Sequence, residues 1–190
     1  MIEWNEHGYI LHQIDSIPKN QELINGDIEI AHRLFKRVFP DSDSTWTYDR
    51  YNIFAFTAPS TTFYKIYKEI RDVVRGQLGD DQPLWMQAWL NFHTCDQLLP
   101  RHRHDFAYHG YVSLDPKQTK TVFDDYEIIN KPGQLYFGPG SDRHHYVEAI
   151  EPFAGIRTTL GFDIHTLPQS KLILEYTERP HSSMSLMPLL

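Results

Sequence analysis

The sequence predicts an α+β, mainly β domain, and three observations predict it. Apolar residues recur at helical spacing twice in the first half of the chain. After Pro83 the texture changes to short runs rich in aromatic and β-branched residues. Clusters of Pro, Gly, Asp and Ser separate those runs. Short strands with regular turns suggest a sandwich or a barrel. Helices laid on one sheet face would bury their apolar stripes there.

Residues 1–17 read as a short extended start, with Tyr9, Ile10, Leu11 and Ile14, closed by Pro18. Asp27 is placed to cap a first helix over about 27–39. Ile28, Ala31, Leu34, Phe35 and Val38 follow its helical spacing, and Pro40 closes it. The run from Tyr51 to Phe56 reads as a strand. Ser60 or Thr61 opens a second helix over about 60–78. Phe63, Ile66, Tyr67, Ile70, Val73, Val74 and Leu78 mark its face, and Gly79 ends it.

A β-rich core over about 84–176 follows, beginning with a strand from Leu84 to Phe92. Further strands are expected at 107–114, 121–129, 134–138, 144–150, 155–164 and 170–176. Asp115-Pro116, Lys131-Pro132-Gly133 and Gly138-Pro139-Gly140-Ser141-Asp142 supply turns. Residues 1–180 form one expected domain, and 181–190 a C-terminal tail or a segment that docks on a partner.

The 190 residues suffice for a domain with a real core, and 41% hydrophobic content is ordinary for a globular chain. The net charge of −7 argues against a binder of free nucleic acid, which would carry a basic face. One cysteine, Cys95, can form neither an internal disulfide nor a thiolate-rich zinc site. The acidic N-terminus does not read as a secretory signal, and no apolar run is long enough to span a membrane. The expectation is a soluble, cytoplasmic protein.

Two histidine clusters and an arginine carry the chemistry. On a strand, residues i and i+2 share a face, so His102 and His104 would point together and bind one divalent ion. A third ligand would come from His144 or His145, which follow the Gly-Pro-Gly turn. Neighbouring strand residues face opposite ways, so one of the two is the ligand. With 11 histidines, chance pairs occur. The bland alternative is a polar strand solvated by Arg101, Arg103 and Asp105, with His109 a core or supporting group. Arg157 and Thr159 share one face of a later strand. A guanidinium there matches a carboxylate with two parallel bonds, though a structural ion pair would use the same residue.

Several segments together resemble the iron(II)- and 2-oxoglutarate-dependent oxygenases. They are Trp89-Leu90-Asn91, Pro100-x-His102-x-His104 and Gly110-Tyr111-Val112-Ser113-Leu114. Then come Pro132-Gly133-x-Leu135-x-Phe137, His145-x-Val147 and Arg157-x-Thr159-x-Gly161-Phe162. The likeness covers roughly residues 85 to 164. It implies a double-stranded β-helix (jelly-roll) core with N-terminal support helices. It implies Fe(II) on His102, His104 and His145, and 2-oxoglutarate held by Arg157 and Thr159. Tyr111, Tyr108 or Tyr136 is a further donor to that cosubstrate. The implied activity is a dioxygenase, a hydroxylase of a small molecule, amino acid or peptide.

One departure stands out. The family's first pair is His-x-Asp or His-x-Glu, and here His104 occupies the carboxylate's place. Either the site is three histidines, or a bulge brings Asp105 inward, or the site is degenerate. Two other readings stay open. A cupin register, running from Gly133 through Pro139 to His144, makes His144 the ligand and removes the cosubstrate role of Arg157. A non-catalytic β-barrel for binding or assembly needs no metal at all.

Overall fold

A computed structural model describes residues 3–40, 52–79, 81–141, 143–166 and 186–190. Strand β1 (Ile10–Gln13) is followed by helices α1 (Ser16–Lys19), α2 (Gln21–Val38), α3 (Ile53–Phe56) and α4 (Thr61–Leu78). Strands β2 (Trp85–His93), β3 (Tyr108–Asp115), β4 (Thr119–Phe123) and β5 (Glu127–Ile129) come next. Then follow β6 (Gln134–Pro139), β7 (His145–Ala149), β8 (Arg157–His165) and β9 (Leu186–Pro188).

The strands form two antiparallel sheets. The larger has the order β1-β6-β3-β8-β2-β9, the smaller β5-β4-β7. This is the mainly β, double-stranded β-helix architecture expected, with the helices on the outer face of the large sheet. The even-numbered residues of β2 and β8 face those helices. Met86, Ala88, Leu90, Leu160, Phe162 and Ile164 join one cluster with Ile24, Ile28 and Phe35 of α2 and with Phe63, Ile66 and Ile70 of α4. Gly110 makes room for this packing, since a Cβ there would meet the Phe162 ring at 2.1 Å.

The helix over 60–78 appears as expected, with the Ser60 hydroxyl accepting the Phe63 N–H as its N-cap. Four expectations are corrected. The first helix starts at Gln21 rather than Asp27. Asp27 lies inside it and accepts a short hydrogen bond from the Ser60 hydroxyl, tying α2 to the start of α4. The run read as a strand up to Phe56 is helical over Ile53–Phe56. Asn52 caps that turn by accepting the Phe54 N–H, and its amide donates to the Met86 carbonyl. A short apolar run fits a buried helical turn as well as a strand, and here the cap decides. The strand expected over 121–129 is two strands, β4 and β5. The expected tail is not wholly a tail. Leu186–Pro188 pairs with β2, Leu189 is fully buried, and Arg75 donates to its carbonyl. Pairing and burial both hold this segment on the chain's own sheet edge. The strand expected at 170–176 lies outside the described residues.

Candidate metal centre

The odd-numbered residues of the same strands face inward, between the two sheets. In register, Asn91 lies opposite Thr159 and His93 opposite Arg157. His109 lies opposite Asp163, and Tyr111 opposite Gly161. Gly161 is required where the Trp89 indole crosses the sheet, since a Cβ would meet it at 2.7 Å. From the small sheet, Thr121 and Val147 close the cavity. The remaining wall is the connection between β2 and β3, carrying Leu99, His102 and His104.

That connection is not a strand, which corrects the i, i+2 argument for His102 and His104. It is stapled instead by one bridge. The His102 N–H donates to the His145 carbonyl at 3.0 Å, and the His145 N–H returns to the His102 carbonyl at 2.9 Å. His102, His104 and His145 converge, each offering a ligand nitrogen within 4.8 Å of the others. The His102 ring is tilted by 59° to His145 and by 65° to His104. Burial pulls the pKa of His102 down and that of His145 well down, so the rings stay neutral, the form that ligates a metal. The Nδ1 of His102 lies 2.8 Å from the Pro100 carbonyl and donates to it, which leaves the lone pair on Nε2.

His104 is held from behind by Asp163 of β8, which no part of the sequence reading singled out. Its Nδ1 is hydrogen-bonded to Asp163 Oδ2 at 3.2 Å. His109 Nδ1 is hydrogen-bonded to the other oxygen, Oδ1, at 3.0 Å. Burial alone would raise the Asp163 pKa. Electrostatic attraction to His104 and the hydrogen bonds to both histidines outweigh it and hold the carboxyl at about 2. The Nε2 of His104 is buried and has no hydrogen-bond partner.

The alternates lie elsewhere. Asp105 is exposed beside Arg103, at 3.8 Å. His144 is on the outside, 4.0 Å from Asp124. Neither belongs to a group of converging ligands. Tyr108 stacks on Phe137 and Trp4, and Tyr136 meets Tyr126 at 3.2 Å, so both serve packing.

Arg157 is 3% exposed. Its Nε donates to the Thr119 hydroxyl at 3.2 Å and one Nη to the Thr159 hydroxyl at 3.4 Å. No carboxylate among the described residues lies within ion-pair distance of it. Burial lowers its pKa to about 10, which leaves it charged at neutral pH. Beside it, the Tyr111 hydroxyl is buried without a hydrogen-bond partner. An uncompensated buried cation and an orphaned hydroxyl are costly in a folded chain. Both costs are removed when an anion enters. The donor set therefore fits a divalent metal on the histidines and an acidic chelator reaching Arg157. The free space among these side chains is about 20 Å³, roughly one water. A larger hollow of about 590 Å³ lies across the sheet, between Phe92, Thr158 and α2, away from the three histidines.

No protein-family model and no curated protein sequence matches the chain. Solved structures do. The non-heme alpha-ketoglutarate-dependent carbocyclase SnoK of nogalamycin biosynthesis superposes with a TM-score of 0.58 over 88% of this chain and 86% of its own, at 8% identity. The nickel complex of the non-heme monooxygenase ThoJ gives 0.56 over 84% and 74%, at 11% identity. Iron-bound HygX from Streptomyces hygroscopicus gives 0.51 over 82% of each chain, at 13% identity. At these identities the likeness is one of fold. The chain has the double-stranded β-helix fold seen in these non-haem enzymes.

Proposed function

We infer that this protein is an Fe(II)- and 2-oxoglutarate-dependent dioxygenase, a hydroxylase acting on a small molecule, amino acid or peptide. The observation that carries the reading is Arg157. A buried guanidinium without an acid partner among the described residues faces the same cavity as three converging imidazoles. An anchor for a dicarboxylate and a seat for its metal are thereby side by side. His102, His104 and His145 would hold the iron. Arg157 and Thr159 would hold the far carboxylate of 2-oxoglutarate, with the Tyr111 hydroxyl as a further donor. Bound together, iron and 2-oxoglutarate supply oxidative chemistry with molecular oxygen, and the chain's own groups orient the reactants and limit water. Thr119 fixes the guanidinium from behind, through the bond to Nε. The outward placement of His144 weighs against the cupin register. Among the described residues no helix is long and apolar enough to cross a membrane, and we assign the protein to the cytoplasm.

The test is anaerobic titration of Fe(II) into metal-free protein with and without 2-oxoglutarate, followed by the visible charge-transfer band of the chelate. The band should require both components and vanish in Arg157→Ala while iron still binds. Iron binding without the band would move the protein to the cupin chemistry, and no iron binding would leave a structural histidine cluster. His145→Ala should lower iron affinity far more than His144→Ala, and the reverse ranking would restore the cupin register.

A further inference from the structure

The carboxylate absent from the His-x-Asp position has a counterpart elsewhere in the cavity. Asp163 is fully buried on β8, on the same strand face as Arg157, Thr159 and Gly161. It forks onto two imidazoles, with Oδ2 at 3.2 Å from His104 Nδ1 and Oδ1 at 3.0 Å from His109 Nδ1. These two rings stack at 3.6 Å with 13° between their planes. Trp89 stacks on both, at 6.0 and 6.3 Å.

His104, His109 and Asp163 could in principle chelate an ion themselves. The contacts argue otherwise, since both Nδ1 atoms already lie at hydrogen-bond distance from the Asp163 carboxylate, at 3.2 and 3.0 Å. Two Nδ1–H groups donating to one carboxylate fit the arrangement better. That assignment puts the free lone pair of His104 on Nε2, the buried nitrogen that has no partner.

We propose that Asp163 is the positioning carboxylate of this metal centre, acting through His104 in place of a carboxylate bound directly to the ion, with His109 as the second arm that fixes it. The inference rests on the reading of His102, His104 and His145 as ligands. Asp163 fixes the tautomer and the ring plane of His104. Its negative charge makes the imidazole a stronger donor and restores, one residue further out, the charge lost when a histidine stands where the family has an acid.

The isosteric Asp163→Asn variant separates this role from packing. An amide oxygen can accept from one histidine, but its NH2 group would face the other. If that is His104, Nδ1 must accept, and Nε2 then carries the proton and cannot ligate. Cobalt(II) is the probe, titrated calorimetrically into metal-free protein, with the d–d spectrum and the thermal midpoint recorded for each variant. Wild type should bind one cobalt. Asp163→Asn should bind about 10- to 100-fold more weakly, with a shifted d–d spectrum in folded protein. His109→Gln, which keeps the bond from His104 to Asp163, should lose only a few-fold. Wild-type affinity and spectrum in a folded Asp163→Asn would overturn the positioning role and leave the metal site standing. Failure of the wild type to bind cobalt would overturn the ligand reading itself, and this inference with it. Should Asp163→Asn not fold, nitrogen-15 NMR of zinc-loaded wild type decides. A protonated Nδ1 and a metal-bound Nε2 on His104 support the proposal, and a metal-bound Nδ1 overturns it.

Discussion

The two faces of β8 differ in what their burial achieves. Toward the helices stand Leu160, Phe162 and Ile164, apolar and fully buried. Toward the cavity stand Arg157, Thr159, Gly161, Asp163 and His165, equally buried and mostly polar. One alternating strand therefore carries two surfaces of opposite character. The helix face gains from leaving water. The cavity face contains a guanidinium without an acid, an orphaned His104 nitrogen and an orphaned Tyr111 hydroxyl nearby. Burial alone does not mark a core. Stability comes from one face, and the other gives some of it up to hold groups ready for a ligand.

The largest expected effect lies on the helix face. Phe162→Ala should destabilise the protein by about 3–5 kcal/mol, read from urea melts, because it opens a cavity over Gly110 beside Phe137. Metal affinity of the folded variant should stay within a few-fold of wild type, since Phe162 points away from the histidines. A large loss of metal affinity with little loss of stability would break the division between the faces.

A smaller effect is expected from pH, and it belongs mainly to the cavity face. Burial, followed by the neighbouring His104 imidazole, holds the His109 pKa at about 4, and burial holds His165 at about 4. Both lie below the unfolded value near 6.5. Between those limits the unfolded chain binds protons that the folded chain refuses, so stability falls as pH falls from about 6.5 towards 4. Each histidine contributes up to ~1.4 kcal/mol per pH unit, and the loss for the two at pH 5.5 should be about 2–3 kcal/mol. Among the described residues of the helix face, only the half-buried His32, beside Phe92, has its pKa lowered, by burial and then by Lys36, and it adds a smaller slope of the same sign. Melts at pH 7.0, 5.5 and 4.5 with one common midpoint would show that the cavity histidines titrate as in the unfolded chain.

The helix-to-strand order, the second helix and most core strands were legible because periodicity and turn residues report on local geometry. The error at Ile53–Phe56 came from a four-residue apolar run that has no period of its own. The Asn52 cap settles it, and a tertiary bond from the same amide to the Met86 carbonyl holds that cap in place. His102, His104, His145 and Arg157 were legible as residue types in sequence order. Their convergence depends on a bridged connection that a strand argument does not describe. Asp163 was missed although a signal existed. It is a lone acid within Leu160-Gly161-Phe162-Asp163-Ile164, at an even spacing from Arg157, and an acid buried in an apolar strand requires a partner. Its partners are distant in sequence, and no pattern in one strand reveals them.

The smallest expected effect has the opposite sign and sharpens the comparison most. Arg157→Met removes the buried charge and keeps an unbranched side chain of similar length. It loses the hydrogen bonds to Thr119 and Thr159, worth about 1 kcal/mol each. It also removes the desolvation of a guanidinium with no counter-ion within reach, a term of several kcal/mol. The second term wins, so the metal-free variant should be more stable than wild type by about 1–2 kcal/mol. With 2-oxoglutarate and metal present the order should reverse, because only the wild type gains binding free energy from the dicarboxylate. Paired melts with and without ligand read both signs in one experiment. A variant less stable than wild type without ligand would mean that Arg157 is an ordinary structural group. A residue that weakens the empty fold and strengthens the loaded one is placed there for its ligand.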